Sequence, residues 1–353
     1  MTQFMPQVEA AGGTQIGGSY INTWINCPRD WYNLHYRPYL GNDGSVVGTG
    51  LSAFSTSIPL LVGRVFHEAI AAWYESGVRN GEDTGERSVD KALEVALREH
   101  KSCESQFPAD RKTGLESSEV AANEFAKVEM MLRAYHDRYG PESMNPEFPT
   151  IQVLVDDEGK PLVEREWTAQ LCPGYVFTCR TDLIILEHGL MKTMEHKTTS
   201  AYGVQMRKRE MDMDPQFSGE YWILRECLPQ HTLAGVMVNM IVKDRSGKSK
   251  FDIAERETTT RTDGQLNRWR LTSVHALEQI DAAVARYTEL LAAGTTHEAA
   301  ADLCFPDYGT RTKQCYAYNS RCQFLDLCQM AGMEHKRIAQ FKPRFTTPTL
   351  ETT

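Results

Sequence analysis

The chain has 353 residues, of which 41% are hydrophobic and 24% are charged, and its formal net charge is −9. This composition is typical of a globular protein with a sizeable core, and the acidic balance argues against a protein that coats nucleic acid through charge alone. The sequence has neither the roughly 18 consecutive apolar residues of a membrane span nor an initial basic and apolar secretory signal. We therefore expect a cytoplasmic protein with no membrane partner.

The first part of the chain is predicted to be mainly helical. Residues 1–18 are glycine-rich and show no periodicity, so we expect a flexible N-terminus. Apolar residues recur at three- and four-residue steps from Val62 to Trp73 and again within 117–139, which predicts two amphipathic helices. A further helix is predicted at 89–101.

A proline-rich break, GPESMNPEFP, separates this part from a region that is predicted to form a sheet. The segments that follow are rich in β-branched and apolar residues and are separated by glycine-containing turns, which indicates antiparallel strands. These segments are 150–160, 162–171, 175–189 and 190–199. Beyond them the pattern predicts a helix around 214–227, strands at 234–244 and 251–260, and a long helix at about 266–292.

These elements predict an α/β fold in which a central mixed sheet is flanked by helices. The expected regions are a flexible N-terminus at 1–18, a mainly helical region with Cys27 and His67 at 19–145, the sheet-containing core at 146–300, a cysteine-rich segment at 301–335 and a flexible tail at 336–353.

The tripeptide Glu-His-Lys occurs three times, at 99–101, 195–197 and 334–336. The first copy ends a predicted helix and the last lies in a basic polar tail, so solvated surface charge is the favoured interpretation of both. Only the middle copy falls in a predicted strand, where neighbouring strands could bring other carboxylates to it.

A hairpin around the middle copy predicts a pair of opposed carboxylates. With a two-residue turn at His188-Gly189, in which both residues take a positive φ, paired residue numbers sum to 377. Asp182 then lies opposite Glu195, and Lys197 shares their face of the sheet. A three-residue turn would shift the register and separate them.

Two opposed carboxylates repel each other, so a purely structural sheet should avoid this pair. A hard divalent cation such as Mg²⁺ or Mn²⁺ reverses the effect, because it binds anionic oxygens. The nearby lysine can then orient an attacking water or stabilise a phosphate. Glu164 and Glu166 precede the hairpin, and no role is assigned to them.

These residues resemble the PD-(D/E)xK nuclease core, in the RecB-type branch that includes AddB nucleases, CRISPR-associated adaptation nucleases and phage exonucleases. The resemblance covers most of the chain, and five motifs occur in the family's order, although each is weak alone. They are GRVFHEAI with Gly63 and His67, CRTDLI, MEHKTT, DPQFSGEYW, and INCPRDWY together with KQCYAYNSRCQFLDLC.

The resemblance implies a restriction-endonuclease-like fold with a nuclease core at 146–300. It assigns catalysis to Asp182, Glu195 and Lys197. It assigns metal binding to His67, Asp182, Glu195 and the backbone carbonyl of His196, whose imidazole points to the opposite face. From sequence alone, a single histidine beside an apolar helix stripe such as His67 is more often structural.

The resemblance also implies a role in DNA binding for Gln216, Tyr221 and Arg180. Four residues separate Gln216 from Tyr221 where the family has three, which rotates the pair by about 100° on an ideal helix. Tyr221 could therefore simply pack. Cys179 stands where relatives often carry glycine, and Arg180 beside it could contact a phosphate or a carboxylate.

Nine cysteines in a chain without an export signal do not suggest a disulfide framework. The late spacings lack the tight Cys-x₂₋₄-Cys knuckle of structural zinc sites. The resemblance favours a 4Fe–4S cluster held by Cys27, Cys315, Cys322 and Cys328. Three alternatives stay open: Cys304 in place of Cys27, a zinc site, and no cluster at all.

The expected function is that of a Mg²⁺- or Mn²⁺-dependent deoxyribonuclease, an exonuclease on single-stranded DNA or DNA ends in recombination, repair or CRISPR adaptation. The alternative is a non-catalytic DNA-binding scaffold of the same fold with a structural iron–sulfur or zinc site. A Walker motif is missing from the sequence, so a helicase or recombination partner would be a separate protein. A prokaryotic or phage setting is expected, and a homo-oligomer is considered because some relatives form rings.

Overall fold

The computed structural model describes residues 14–41, 45–53, 57–109, 114–141, 151–243, 254–308, 315–316, 321–330, 338 and 340–346. The chain divides into two compact units: the first comprises Met1–Gln15 and Ser55–Arg270, and the second Ile16–Phe54 and Leu271–Thr353. The regions expected from the sequence run in chain order, whereas in these units residues 16–54 group with the C-terminal part. Cys27 and His67 consequently belong to different units.

The helices in chain order are α1 (Gly18–Asn26), α2 (Pro28–Trp31), α3 (Ile58–Glu75), α4 (Val89–Cys103), α5 (Ser117–Tyr139), α6 (Ala201–Glu210), α7 (Pro215–Cys227), α8 (Asp263–Ala292), α9 (His297–Cys304) and α10 (Leu325–Gln329). The strands are β1 (Thr14–Gly17), β2 (Pro38–Leu40), β3 (Val46–Ala53), β4 (Val78–Arg79), β5 (Glu82–Asp83), β6 (Gln152–Val153), β7 (Val163–Cys172), β8 (Tyr175–Glu187), β9 (Leu190–Thr199), β10 (Leu233–Val242), β11 (Ala254–Thr259) and β12 (Phe341–Thr346).

The first unit is built on a mixed sheet in which β8, β9, β10 and β11 are consecutive neighbours, with β6 and β7 also paired to β8. Strands β7, β8 and β9 are antiparallel, β10 runs parallel to β9, and β11 is antiparallel to β10. The parallel step is made through α6 and α7, as expected for a crossover that needs a helical connection. The predicted α/β fold with a central mixed sheet flanked by helices is confirmed.

Helices α3, α4 and α5 cover one side of this sheet, and they match the three helices predicted from apolar periodicity. The stripe of α3 is buried, with Val65, Phe66 and Ile70 at most 1% exposed. It packs into one core with apolar residues of α4, α5 and the inward faces of β8 and β9. Each Å² of apolar surface that this core removes from water stabilises the unit by roughly 25 cal/mol.

The β8–β9 hairpin has the predicted turn and register. His188 and Gly189 have φ of 51° and 75°, as a type I′ turn requires. Glu187 pairs with Leu190 and Leu183 with Met194, so paired numbers sum to 377 as expected.

The second unit contains a small sheet in which β3 lies between β2 and β12. Strand β12 (Phe341–Thr346) lies within the segment 336–353 that was expected to be a flexible tail: Phe341 pairs with Ala53 and packs into a core with Leu51, Phe324 and Leu327. The predicted flexible N-terminus is described only from Thr14, where β1 begins; residues 1–13 lie outside the described residues.

Within the described residues, no helix combines the length and the apolar character that crossing a membrane requires.

Candidate active site

The hairpin brings Asp182 and Glu195 to the same level of the sheet. Because Leu183 pairs with Met194, continuing the register by one residue places Asp182 on β8 opposite Glu195 on β9. Both residues are buried, with 8% and 4% of their surface exposed. Lys197 follows two residues later on the same face of β9.

Asp182 is held by two nitrogens from different elements. The backbone amide of His196 donates to its Oδ2 at 2.6 Å, and Nδ1 of His67 on α3 lies 3.4 Å from the same oxygen. Burial alone would raise the pKa of Asp182, but the hydrogen bond and charge of His67, with smaller effects of His196 and Lys197, lower it to about 2. Asp182 is therefore ionised at neutral pH, as a metal ligand must be.

Glu195, Lys197 and Gln216 form a closed triangle of contacts. Nζ of Lys197 donates to Oε1 of Glu195 at 2.5 Å and to Oε1 of Gln216 at 3.1 Å, while Nε2 of Gln216 donates to Oε1 of Glu195 at 2.7 Å. Gln216 stands in the first turn of α7, which Asp214 caps by accepting from the Gln216 amide. The start of α7 thus fixes where the lysine amine lies.

Glu164 joins the site from β7, a role that the sequence left unassigned. Neighbouring pairs Val163–Leu183 and Arg165–Thr181 place Glu164 opposite Asp182, so carboxylates of three adjacent strands form one row. Ligand atoms of His67, Glu164 and Asp182 lie within 4.8 Å of one another. The φ of Glu164 is 49°, a left-handed conformation that is rare for a residue of this kind.

Burial, and then the charge of Asp182, raise the pKa of Glu164 to about 7 despite the opposing charge of Arg180. Arg180 is largely exposed and its Nε lies 2.9 Å from Oε2 of Glu164, so the residue expected to meet DNA contacts a carboxylate here. The sequence could have revealed Glu164 only if the register of β7 had been known as well as that of the hairpin.

A fourth carboxylate, Glu220 on α7, is hydrogen-bonded to Thr193 of β9. It is 1% exposed, its Oε1 accepts from the hydroxyl of Thr193 at 2.6 Å, and its Oε2 has no hydrogen-bond partner among the described residues. Burial, and then the charge of Glu195, raise its pKa well above the ordinary value. Glu220 is four residues after Gln216, the position at which the family pattern has tyrosine.

The donor set fits a hard divalent cation. Ligand atoms of His67, Glu164 and Asp182 lie within 4.8 Å of one another, and Glu195 lies opposite Asp182 on the next strand, where Lys197 is hydrogen-bonded to it. Burial and the charge of Asp182 raise the pKa of Glu195 even though Lys197 is hydrogen-bonded to it. This excess of negative charge is what Mg²⁺ or Mn²⁺ compensates when oxygen ligands surround it.

The imidazole of His196 lies in a buried hydrogen-bond network between β9, β10 and the helices α3 and α5. Its Nδ1 lies 2.7 Å from Nδ2 of Asn239, which also donates to the hydroxyl of Tyr135 at 2.9 Å. The Tyr135 hydroxyl is 2.7 Å from that of Tyr74 and accepts from Nη2 of Arg256 at 2.9 Å. The role of the His196 carbonyl as a metal ligand stays a prediction.

The same network connects the helix of His67 to the strand of Glu195. Tyr74 is seven residues after His67 on α3, two turns along one face. Its ring stacks on that of His196 with centroids 5.7 Å apart. Burial lowers the pKa of His196 to about 3, so its ring is neutral and can pack in this way.

Tyr221 is placed differently from Gln216. Its side chain is 7% exposed and its hydroxyl donates to the carbonyl of Leu233 at 2.7 Å. In this structure Tyr221 therefore ties α7 to the start of β10, and the extra residue after Gln216 accounts for the difference, as the predicted rotation suggested.

The other copies of Glu-His-Lys do not join the site. In the first, Glu99 lies 3.6 Å from Arg64, His100 is buried against Phe125, and Lys101 is exposed near the end of α4. The third copy, at 334–336, lies outside the described residues.

The second unit contains the cysteines predicted to hold a cluster. Cys27 precedes α2 and its thiol lies 3.7 Å from Asp307, and the amide of Cys322 donates to the carbonyl of Cys315. Burial is the main reason that the pKa values of Cys315, Cys322 and Cys328 are raised, and the nearness of Cys27 adds to each. For Cys304, burial raises the pKa and the charge of Arg286 opposes that rise.

Comparison with protein families gives a match over most of the chain. A family model described as the PD-(D/E)XK nuclease superfamily matches residues 18–329. No curated protein matches the chain.

Proposed function

The chain belongs to the PD-(D/E)XK nuclease superfamily, and we propose that within it the protein is an exonuclease that hydrolyses phosphodiester bonds at DNA ends. The superfamily implies a metal-dependent nuclease. The observation that carries the proposal is the row of carboxylates on β7, β8 and β9 next to Lys197, whose amine Gln216 and Glu195 hold in place.

We propose that Asp182, Glu195, Glu164 and His67 hold the cation. A divalent cation bound there supplies Lewis-acid stabilisation of the negative charge that develops on the phosphate. Lys197 contributes a positive charge and a hydrogen-bond donor at Nζ, which can orient the attacking water or bind a phosphate oxygen. Because Gln216 contacts both Lys197 and Glu195, it keeps the amine and the carboxylate in fixed relation.

The preference for ends is tested with linear and circular DNA of the same sequence. Protein purified without oxygen would be incubated with each substrate and Mn²⁺, Mg²⁺ or EDTA, beside a Lys197→Ala variant. Lys192→Ala is the matched control, because Lys192 lies on the same strand and is paired with a carboxylate, Glu187, at 2.5 Å. We expect metal-dependent degradation of linear DNA, lost only in Lys197→Ala. Cleavage of circular DNA would contradict exonuclease action.

The rival function is a DNA-binding scaffold without catalysis. It predicts that the wild-type protein binds DNA but leaves it intact with either metal. The joint presence of Asp182, Glu195 and Lys197 on one face of two neighbouring strands supports catalysis, because a scaffold without activity would not need all three.

We further propose that Cys27, Cys315, Cys322 and Cys328 hold a 4Fe–4S cluster with a structural role. Support comes from the nearness of Cys27 to the other three thiols, which adds to their raised pKa values, and from the ability of cysteine thiolates to ligate such clusters. Iron and acid-labile sulfide in anaerobically purified protein would support the cluster, whereas stoichiometric zinc would contradict it. We also propose a separate helicase or recombination partner and a phage or prokaryotic setting.

A further inference from the structure

One face of α6 exposes side chains that suit stacking rather than packing. Tyr202 is 81% exposed, and Gln205, Met206 and Arg209 are exposed at three, four and seven residues beyond it. This spacing places the four on one side of the helix. We call Tyr202, Gln205, Met206 and Arg209 the stacking face.

The stacking face follows directly on the catalytic strand. Strand β9 ends at Thr199, and Ser200 caps α6 by accepting from the Gly203 amide at 3.1 Å. Tyr202 is five residues after Lys197, so even a fully extended chain would separate their Cα atoms by at most about 18 Å. A strand of DNA with its phosphate at Lys197 is therefore within a few nucleotides of Tyr202.

The end of β9 is tied to the end of β10 and, through Lys243, to the start of α3. The backbone amide of Lys243, just beyond β10, donates to the Thr199 carbonyl at 2.7 Å, and its Nζ donates to the Pro59 carbonyl at 3.2 Å. The start of α3 is thus fixed beside the end of β9, and Leu60 there is 67% exposed. Exposed apolar side chains of α3 and α6, such as Leu60 and Tyr202, consequently lie near the end of β9.

The charges of α6 divide between its faces. Arg207 lies 3.2 Å from Asp214, and Lys208 pairs with Glu255 and Glu257 on β11. Among the described residues Arg209 has no such ion pair, so its guanidinium is free to meet a phosphate. Glu210 follows it directly and limits the net positive charge, which favours contacts through aromatic stacking over a long electrostatic groove.

We propose that the stacking face binds unpaired bases of single-stranded DNA next to the cleavage site, with Tyr202 stacking on a base and Arg209 contacting the backbone. This inference rests on the proposed nuclease function. Aromatic side chains stack only on bases that are splayed out of a duplex, and each such contact is sequence-tolerant. The face would thereby confer a preference for single strands close to the cleaved bond.

The test measures binding separately from cleavage. Fluorescence anisotropy of an end-labelled oligothymidylate and of a blunt duplex would be followed in EDTA for the wild type, Tyr202→Ala and Tyr202→Phe. Leu190→Ala is the control, because Leu190 is 52% exposed at the opposite end of β9. We expect about a tenfold or greater loss of single-strand affinity for Tyr202→Ala, and near-wild-type affinity for Tyr202→Phe and Leu190→Ala.

Unchanged duplex affinity in Tyr202→Ala would support the proposal, and equal losses on both DNAs would overturn it. Unchanged single-strand affinity would overturn it too, as would a change in oligomeric state that accounts for the loss, since a second copy would then cover the face. If the wild type cleaves DNA but Tyr202→Ala binds normally, only this inference fails. If the wild type neither binds nor cleaves DNA, the proposed function fails first.

Discussion

Glu164 and Asp182 lie opposite each other across β7 and β8, with a carboxylate oxygen of each within 4.8 Å of Nδ1 or Nε2 of His67 and of one another. Once Glu164 is ionised, above the pKa of about 7 to which burial and Asp182 raise it, two like charges in this position cost free energy in a sheet, of the order of 0.2–1 kcal/mol. The protein thus carries a local cost that a bound cation would remove.

Glu164→Gln is expected to stabilise the protein in EDTA while weakening its response to metal. Removing the repulsion should raise Tm by about 1–3 °C, because the exposed pair with Arg180 contributes little in return. The rise of Tm on adding Mn²⁺ should be smaller than in the wild type. Thermal unfolding with and without Mn²⁺ measures both, and Glu166→Gln on the same strand is the control. A lower Tm with an unchanged response to Mn²⁺ would contradict the ligand role.

Gln216→Ala is expected to lower kcat about 10- to 100-fold with little effect on DNA affinity. Gln216 contacts the amine of Lys197 at 3.1 Å and the carboxylate of Glu195 at 2.7 Å, so its loss allows the amine to shift by an ångström or so. Single-turnover cleavage measures the rate, and anisotropy in EDTA measures binding. Tyr221→Phe on the same helix loses the bond of its hydroxyl to the Leu233 carbonyl and should keep the rate. If the two variants lose activity equally, Gln216 acts through the stability of α7 alone.

The sequence predicted the hairpin well because its signals are local. Gly189 after His188 specifies a two-residue turn, and a two-residue turn fixes the register of every pair that follows. The amphipathic helices could be predicted equally well, since the buried faces of α3 and α5 follow from their own periodicity. These predictions depended on residues close together in the chain.

The positions of Glu164, Glu220 and strand β12 could not be predicted in the same way. Glu164 reaches the site because β7 pairs with β8, and Glu220 because α7 packs on β9 through Thr193. Strand β12 pairs with β3, nearly 300 residues earlier in the chain, so its polar and proline-containing sequence suggested a tail. Each depends on a long-range partner whose register a single sequence does not specify.

Tyr135→Phe is expected to destabilise the protein by about 1–3 kcal/mol and to weaken Mn²⁺ binding. The hydroxyl accepts from Arg256 and from the buried Asn239, so its removal takes one hydrogen-bond acceptor from each of these donors. Because the same network seats α3 against β9, His67 should also be less well positioned. Urea unfolding and Mn²⁺ calorimetry measure the two effects.

Tyr139→Phe is the control for that experiment, because the Tyr139 hydroxyl donates to the Ala254 carbonyl at 3.4 Å and does not join the hydrogen bonds of Tyr135, while its ring stays beneath Arg256. We expect a smaller loss of stability and unchanged Mn²⁺ affinity. Lower stability of Tyr135→Phe with wild-type Mn²⁺ affinity would mean that the network supports the fold without positioning His67.

Cys27→Ser and Cys304→Ser are expected to differ in cluster content. The nearness of Cys27 helps to raise the pKa values of Cys315, Cys322 and Cys328. For Cys304, burial raises the pKa and the charge of Arg286 opposes that rise. After anaerobic purification, Cys27→Ser should lose most of its iron, its acid-labile sulfide and its visible absorption, and Cys304→Ser should keep all three. The reverse result would make Cys304 the fourth ligand, and full iron in both variants would exclude either residue. Since the cluster is proposed to be structural, Cys27→Ser should also unfold at lower temperature than Cys304→Ser.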